Sequence, residues 1–179
     1  EPKVYDCDEP EGRTSEASLP RSGQEQVMKA VIQRVARASV EVEGEIVGAI
    51  ERGLLVLVGV EKGDGPADAR ATAHKIADLR IFPGDKPMDR SVTEIGGAVL
   101  VVSQFTLAGS LRKGRRPGFE RAEDPARAEA LYLEVAAALR ERGLPVATGR
   151  FAAHMQVDLL NEGPVTILLF TREGQVVDP

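Results

Sequence analysis

The sequence has no tryptophan, 4% aromatic residues, one cysteine and two histidines among 179 residues. So few rings require an aliphatic interior. The lone Cys7 excludes an intrachain disulfide and any thiolate metal site built from one subunit, in keeping with a reducing, cytoplasmic setting. His74 and His154 stand at no metal-ligand spacing, and a Gly-x-Ser-x-Gly elbow, a Walker loop and a Gly-x-Gly-x-x-Gly turn are all missing. No metal, nucleotide or other cofactor is therefore expected. A Ser-His-Asp triad has little support, and each histidine reads as structural or solvated. The longest apolar run, residues 54–60, has the length of a strand rather than of a bilayer span, so no membrane segment is expected.

What is present is ordinary for a globular domain: 42% hydrophobic and 28% charged residues, with a formal net charge of −5. The charge is uneven. Residues 1–27 carry seven acidic and three basic side chains without apolar periodicity, which leaves residues 28–179 close to neutral. The first stretch reads as a disordered leader, a cloning remnant or a mistaken upstream start, since it lacks the apolar core of a secretory signal and is too acidic for a transit peptide. One domain, 28–179, is expected to follow.

Alternation from Met28 through Val42 predicts a strand, with Glu43, Gly44 and Glu45 turning it into a second strand at residues 46–50. Residues 54–60 read as a strand covered on both faces. Asp64 as cap, Pro66 in the first turn, and Ala69, Ala73, Ile76 and Ala77 at helical spacing predict a helix to about Arg80. A loop from Phe82 leads through the Gly96-Gly97 turn into a strand at residues 98–104. Asp124, Pro125 and Gly143 bracket a second helix whose inner face is Ala128, Leu131, Tyr132, Val135 and Leu139. Two last strands are expected at residues 153–160 and 165–171. The order predicts an α+β domain: a curved, largely antiparallel, barrel-like sheet with two α-helices.

Two segments stand out chemically. Ser103, Gln104, Phe105, Thr106 and Leu107 follow the apolar run 99–102, where a buried strand ends and polar groups become usable. Ester hydrolysis passes through a tetrahedral oxyanion, and a positioned amide or main-chain N–H is worth roughly 3 to 4 kcal/mol there. Gln104 and the Phe105 N–H are such donors. Thr106 either orients a water or attacks directly, although direct attack needs a base that the sequence does not reveal. The second segment, Asn161 to Thr166, sets Gly163 beside Pro164 ahead of the apolar run 165–170; it reads as a rigid kink or an ordinary turn.

Taken with Met28, Ala30 to Val35, Ala38 to Val40, Gly53 to Val60 and Gly149 to Ala153, these segments closely resemble the D-aminoacyl-tRNA deacylases of the bacterial and eukaryotic type. The resemblance spans nearly all of residues 28–179. It implies a cytoplasmic, cofactor-independent esterase acting on D-amino acids, and on glycine, attached to the 3′ end of tRNA, with the terminal ribose 2′-hydroxyl assisting water attack. Gly163 and Pro164 would form a cis backbone filter that rejects L-residues by clash. The filter is lent across a homodimer to the partner's pocket. Phe151, Ala152 and Met155 match an adenine pocket; strand-spaced core packing is the other reading, above all for Met155. Arg34 matches the buttress of the Gly-Pro element, or is a surface ion-pair partner.

Arg112, Lys113, Arg115, Arg116 and Arg121 form a basic segment, either solvated or meeting acceptor-stem phosphates. Two rivals remain. A non-catalytic nucleic-acid-binding module would have no use for Thr106 or Gly163, and the related branch that edits L-alanyl-tRNA departs from the Ser103-Gln104 pair kept here.

Overall fold

The computed structural model describes residues 26–179. The expectation for residues 1–27 lies outside them, Gln26 and Val27 excepted. The first strand, β1 (Met28–Val42), is long enough to serve two partners: its first half pairs with β3 (Gly53–Gly59) and its second half with β2 (Glu45–Ile50), both antiparallel. Along its other edge it pairs antiparallel with β6 (Gln156–Arg172). A helix, α1 (Pro66–Asp78), carries the chain to β4 (Ala98–Ser103), parallel to β3; after a 3-10 turn at Phe105–Ala108, a second helix, α2 (Pro125–Glu141), leads to β5 (Val146–Thr148), parallel to β4. Crossover through a helix is what permits these parallel pairs. With β7 (Gln175–Val177) the path is β5-β4-β3-β1-β6-β7, and β2 stands off it beside β1. The sheet is thus curved, mixed and mainly antiparallel, with the two predicted helices.

The helices cover one face. Ile76 and Ala77 of α1 and Tyr132, Val135 and Leu139 of α2 close over Ile32, Leu54, Val56, Val99 and Val101, forming the larger core. Curling of β1 and β2 over the opposite face encloses a smaller one around Val35, Val40, Leu55, Leu100 and Val102. Both interiors are almost wholly aliphatic.

Several local expectations change. Gly65, not Asp64, occupies the N-cap of α1, and its N–H donates to Asp68 Oδ2 at 2.9 Å; Asp64 is buried and accepts the Glu61 N–H at 2.7 Å. Asp124 is the N-cap of α2, but its side chain makes no capping bond. The two terminal strands expected at 153–160 and 165–171 are one strand, β6. Val35 pairs with Asn161 and Gln33 with Thr166, so Glu162, Gly163, Pro164 and Val165 face Arg34 alone in a wide bulge. Asn161 Nδ2 spans it by donating to the carbonyls of Arg34 and Val165, each at 3.0 Å. The Gly163-Pro164 peptide is cis.

Candidate active site

The buried strand β4 ends at Ser103, opposite Val58, and the Gln104 N–H makes the last ladder bond to Val58 O at 2.8 Å. The chain then coils into the 3-10 turn directly over the end of β3. A Cβ on Gly59 would come within 2.6 Å of Leu107 Cβ and 3.1 Å of Gln104 O, so only glycine permits this seat. The turn throws Phe105 outward, 58% exposed, against Phe119 with ring centroids 5.1 Å apart. Since the Gln104 N–H is spent on the ladder, the main-chain donors available to a ligand begin with Phe105, whose N–H opens the turn and has no acceptor within it. The Gln104 side-chain amide donates to Thr106 Oγ1. An amide is no base, so this contact does not activate the hydroxyl for attack.

A cavity of about 520 Å³ opens beside the turn. Ser103, Gln104 and Phe105 form one side and Phe151, Ala152 and Met155 another, while Ala122, Glu123 and Pro125 close it at the start of α2. The sequence reading assigned Met155 and His154 to strand positions, but residues 151–155 are a turn before β6, with Ala152 at φ 58°. Tyr132 anchors this wall from beneath: its hydroxyl donates to Val101 O at 3.1 Å, and its ring lies 6.1 Å from that of Phe151. Phe151 and Met155 therefore belong at once to the core margin and to the cavity. His154 is exposed on the same wall, and His74 is exposed on α1.

Arg34, Gly163 and Pro164 are elsewhere. Ser103 lies in register with Val58, Ala30 and Leu169, whereas the bulge lies beside Arg34 and Leu54. Four residues along and three strands across amount to ~20 Å at ordinary strand spacings. Arg34 Nε donates to Glu162 O at 3.1 Å and its Nη1 to Ile81 O at 2.6 Å, which makes it a brace of the bulge rather than a surface ion-pair partner alone. Gly163, at φ 128°, and Pro164 are both exposed.

The basic segment divides. Arg112, Lys113, Arg115 and Arg116 are exposed on a loop pinned at its base by mutual Ser110 and Gly118 hydrogen bonds of 2.8 and 2.9 Å. Arg121, grouped with them from the sequence, turns inward to the fully buried Glu61 at 2.6 Å. Sequence reading also missed Glu61 and took Asp64 for a helix cap only. Burial pushes the Asp64 carboxyl up to about 7; the Glu61 N–H opposes this, and the nearby Asp68, Glu61 and Glu123 reinforce it. Acids three residues apart, just after a wholly apolar strand, were the available signal. Among the described residues no three His, Cys, Asp or Glu side chains are grouped to hold a metal, and no helix is long and apolar enough to cross a membrane.

Known proteins resemble the chain in both sequence and fold. A solved structure of a c-Myc DNA unwinding element binding protein superposes with a TM-score of 0.76 at 40% identity, covering 80% of this chain and 99% of its own. A probable eukaryotic D-amino acid tRNA deacylase gives 0.70 at 19% identity, covering 81% and 100%, a likeness of fold. The D-aminoacyl-tRNA deacylase of Syntrophotalea carbinolica is 61% identical over 143 residues, 79% of this chain and 96% of that one. That of Anaeromyxobacter dehalogenans is 59% identical over 146 residues, 81% and 98%. The model of the D-Tyr-tRNA(Tyr) deacylase family matches residues 31–170, a span that holds the turn, the cavity walls and the bulge, and the chain belongs to that family of hydrolases.

Proposed function

We propose that the protein hydrolyses the ester between a D-amino acid, or glycine, and the 3′ end of tRNA, as a cytoplasmic homodimer needing no cofactor. The observation that carries this reading is the cavity that sets Ser103, Gln104 and Phe105 across from Phe151, Ala152 and Met155. An adenine stacked on the apolar wall would present its ribose ester to the turn. The Phe105 N–H would meet the oxyanion as the carbonyl becomes tetrahedral, with Gln104 and Thr106 orienting the attacking water. With an amide, Gln104, as the hydrogen-bond partner of Thr106, assistance by the ribose 2′-hydroxyl is preferred over a Thr106 acyl-enzyme.

Chiral rejection falls to Gly163 and Pro164. At ~20 Å from the turn they cannot reach an ester in their own cavity. A second copy can bring them there, and the exposed face of the sheet favours such docking: Leu57, Val31 and Leu168 stand side by side on β3, β1 and β6, with Leu168 61% exposed. The exposed loop of Arg112, Lys113, Arg115 and Arg116 would meet acceptor-stem phosphates.

A second reading, nucleic-acid binding without turnover, is favoured by the 40% identity to the DNA unwinding element binding protein. Hydrolysis of D-Tyr-tRNA, Gly-tRNA, L-Tyr-tRNA and L-Ala-tRNA side by side decides. The proposal requires the first two to be deacylated and the L-substrates spared. Binding without hydrolysis of any substrate would leave the second reading, and turnover of L-Ala-tRNA alone would indicate alanine editing.

A further inference from the structure

Behind the turn lies Glu61, a carboxylate whose side chain is 0% exposed. A charge removed from water persists only where partners replace the solvent. Lys29 Nζ donates to Oε1 at 2.7 Å, Arg121 Nη2 to Oε2 at 2.6 Å, and the Val27 N–H to Oε2 at 3.3 Å. The Lys29 ammonium is shared, because it also donates to the carbonyl of Leu107 at 3.1 Å. Leu107 is the third residue of the 3-10 turn, and its own N–H returns to Gln104 O at 3.2 Å. Two hydrogen bonds thus connect a buried charge to the turn that carries Gln104, Phe105 and Thr106.

Arg121 provides the other arm. The Lys62 N–H donates to Arg121 O at 2.9 Å and the Glu123 N–H to Val60 O at 3.1 Å, so the segment that contributes Ala122 and Glu123 to the cavity is laced to the residues flanking Glu61. Both walls, one from β4 and one preceding α2, converge on this carboxylate. Apolar side chains of similar volume would stabilise such a site as well as ions do. What the ions add is direction: an ammonium aimed at one carbonyl of the turn, and a guanidinium that ties its own segment, the wall before α2, to the same carboxylate.

We propose that Glu61, Lys29 and Arg121 are positioning residues for deacylation, Lys29 holding the 105–108 turn and Arg121 the wall before α2 at the separation the ester requires. This rests on the deacylase reading of the cavity and adds to it the device that sets its geometry. A misplacement of about 1 Å in such a site costs on the order of 10²-fold in rate, so loosening the turn is read in turnover before it is read in binding.

The test compares Lys29→Met, Lys29→Arg and Glu61→Gln in hydrolysis of D-Tyr-tRNA, with Lys29→Met also combined with Gln104→Ala. Lys29→Met should lower kcat at least tenfold with KM within about twofold, and Lys29→Arg, long enough to reach both acceptors, should restore most of the loss. The double variant should be no slower than Gln104→Ala, since both act through one turn. Amide hydrogen exchange at Leu107 and Gly109 should accelerate about tenfold in Lys29→Met while α2 stays protected. Parental kcat in Lys29→Met, or losses that multiply in the double variant with exchange unchanged, would overturn the proposal. Full activity of Gln104→Ala would instead defeat the catalytic reading of the turn, leaving exchange to decide what Lys29 holds. Should Lys29→Met not fold, Glu61→Gln is judged by the same kcat and exchange criteria.

Discussion

The turn that ends β4 is gripped from three directions: the Gln104 N–H is tied to Val58 O, Leu107 rests on Gly59 with no room for a Cβ, and Lys29 holds the Leu107 carbonyl. The bulge in β6 is gripped from behind only, by Arg34 on Glu162 O and by Asn161 across its base, while Gly163 and Pro164 face outward. Both interrupt the same sheet. The first borders a cavity, and the second is an exposed projection ~20 Å away from it. On the proposed function, a substrate contacted by both would lie between two copies of the chain.

The largest effect tests the turn. Gly59→Ala places a Cβ where Leu107 Cβ would be 2.6 Å away, so the turn must lift. Because the Phe105 N–H moves with it, kcat for D-Tyr-tRNA should fall at least about 10²-fold while the far-UV spectrum is retained. Near-parental turnover in a folded Gly59→Ala protein would mean that the turn's seat is unimportant to the chemistry.

The projection is tested by Gly163→Ala. At φ 128° a side chain is strained, and its Cβ would stand 2.9 Å from both Arg34 Nη2 and Val165 Cγ2, displacing the brace. We expect a loss of about 1 to 3 kcal/mol in stability together with at least a tenfold fall in D-aminoacyl hydrolysis or in D-over-L discrimination. Mixing subunits sharpens the comparison. If the projection serves its partner, a heterodimer of Gly163→Ala with Gln104→Ala contains one site with both elements intact and recovers about half of the parental rate. If each subunit uses its own projection, the mixture stays as slow as either parent variant.

A smaller effect distinguishes the exposed basic loop from both. Arg115→Ala with Arg116→Ala removes two charges that touch neither the cavity nor the core, so KM should rise severalfold with kcat unchanged, and the salt dependence of binding should flatten. A fall in kcat at constant KM would place this loop in the chemistry.

Much of this arrangement was legible from residue patterns. The apolar run 54–60, the alternation in β1 and the 3.6-residue spacing of α2 report burial directly, and the early part of the chain turns at Glu43-Gly44 as read. Where sequence failed, distant partners decided. Gly-Pro punctuates a local pattern whether the chain turns or bulges, and only the pairing of Val35 with Asn161 and of Gln33 with Thr166 reveals a bulge. Arg121 looks like its exposed basic neighbours until Glu61, sixty residues away in sequence, is found beneath it. The three-residue strands β5 and β7 are too short for periodicity, although Glu173-Gly174, both at positive φ, repeats the turn chemistry of Glu43-Gly44 and could have marked the last hairpin.

The smallest expected effect on turnover lies beneath the turn, at Asp64, and is read in stability. Its carboxyl is buried against the Glu61 N–H, and burial raises it from an ordinary 3.8 to about 7. Between those values the folded chain keeps a proton that the unfolded chain has released, so folding is favoured below about pH 4 and that contribution is lost as the pH rises through about 7. Each unit of such a shift corresponds to about 1.4 kcal/mol, which makes the full span a few kcal/mol. Asp64→Asn keeps an oxygen to accept the Glu61 N–H and removes the ionisation. Its thermal midpoint should exceed that of the parent at about pH 8, with the gap narrowing as the pH falls below about 7 and closing only near pH 4, while kcat at fixed pH changes less than about twofold. Parallel pH profiles for the parent and Asp64→Asn would show that this buried acid does not govern the stability of the region under the turn.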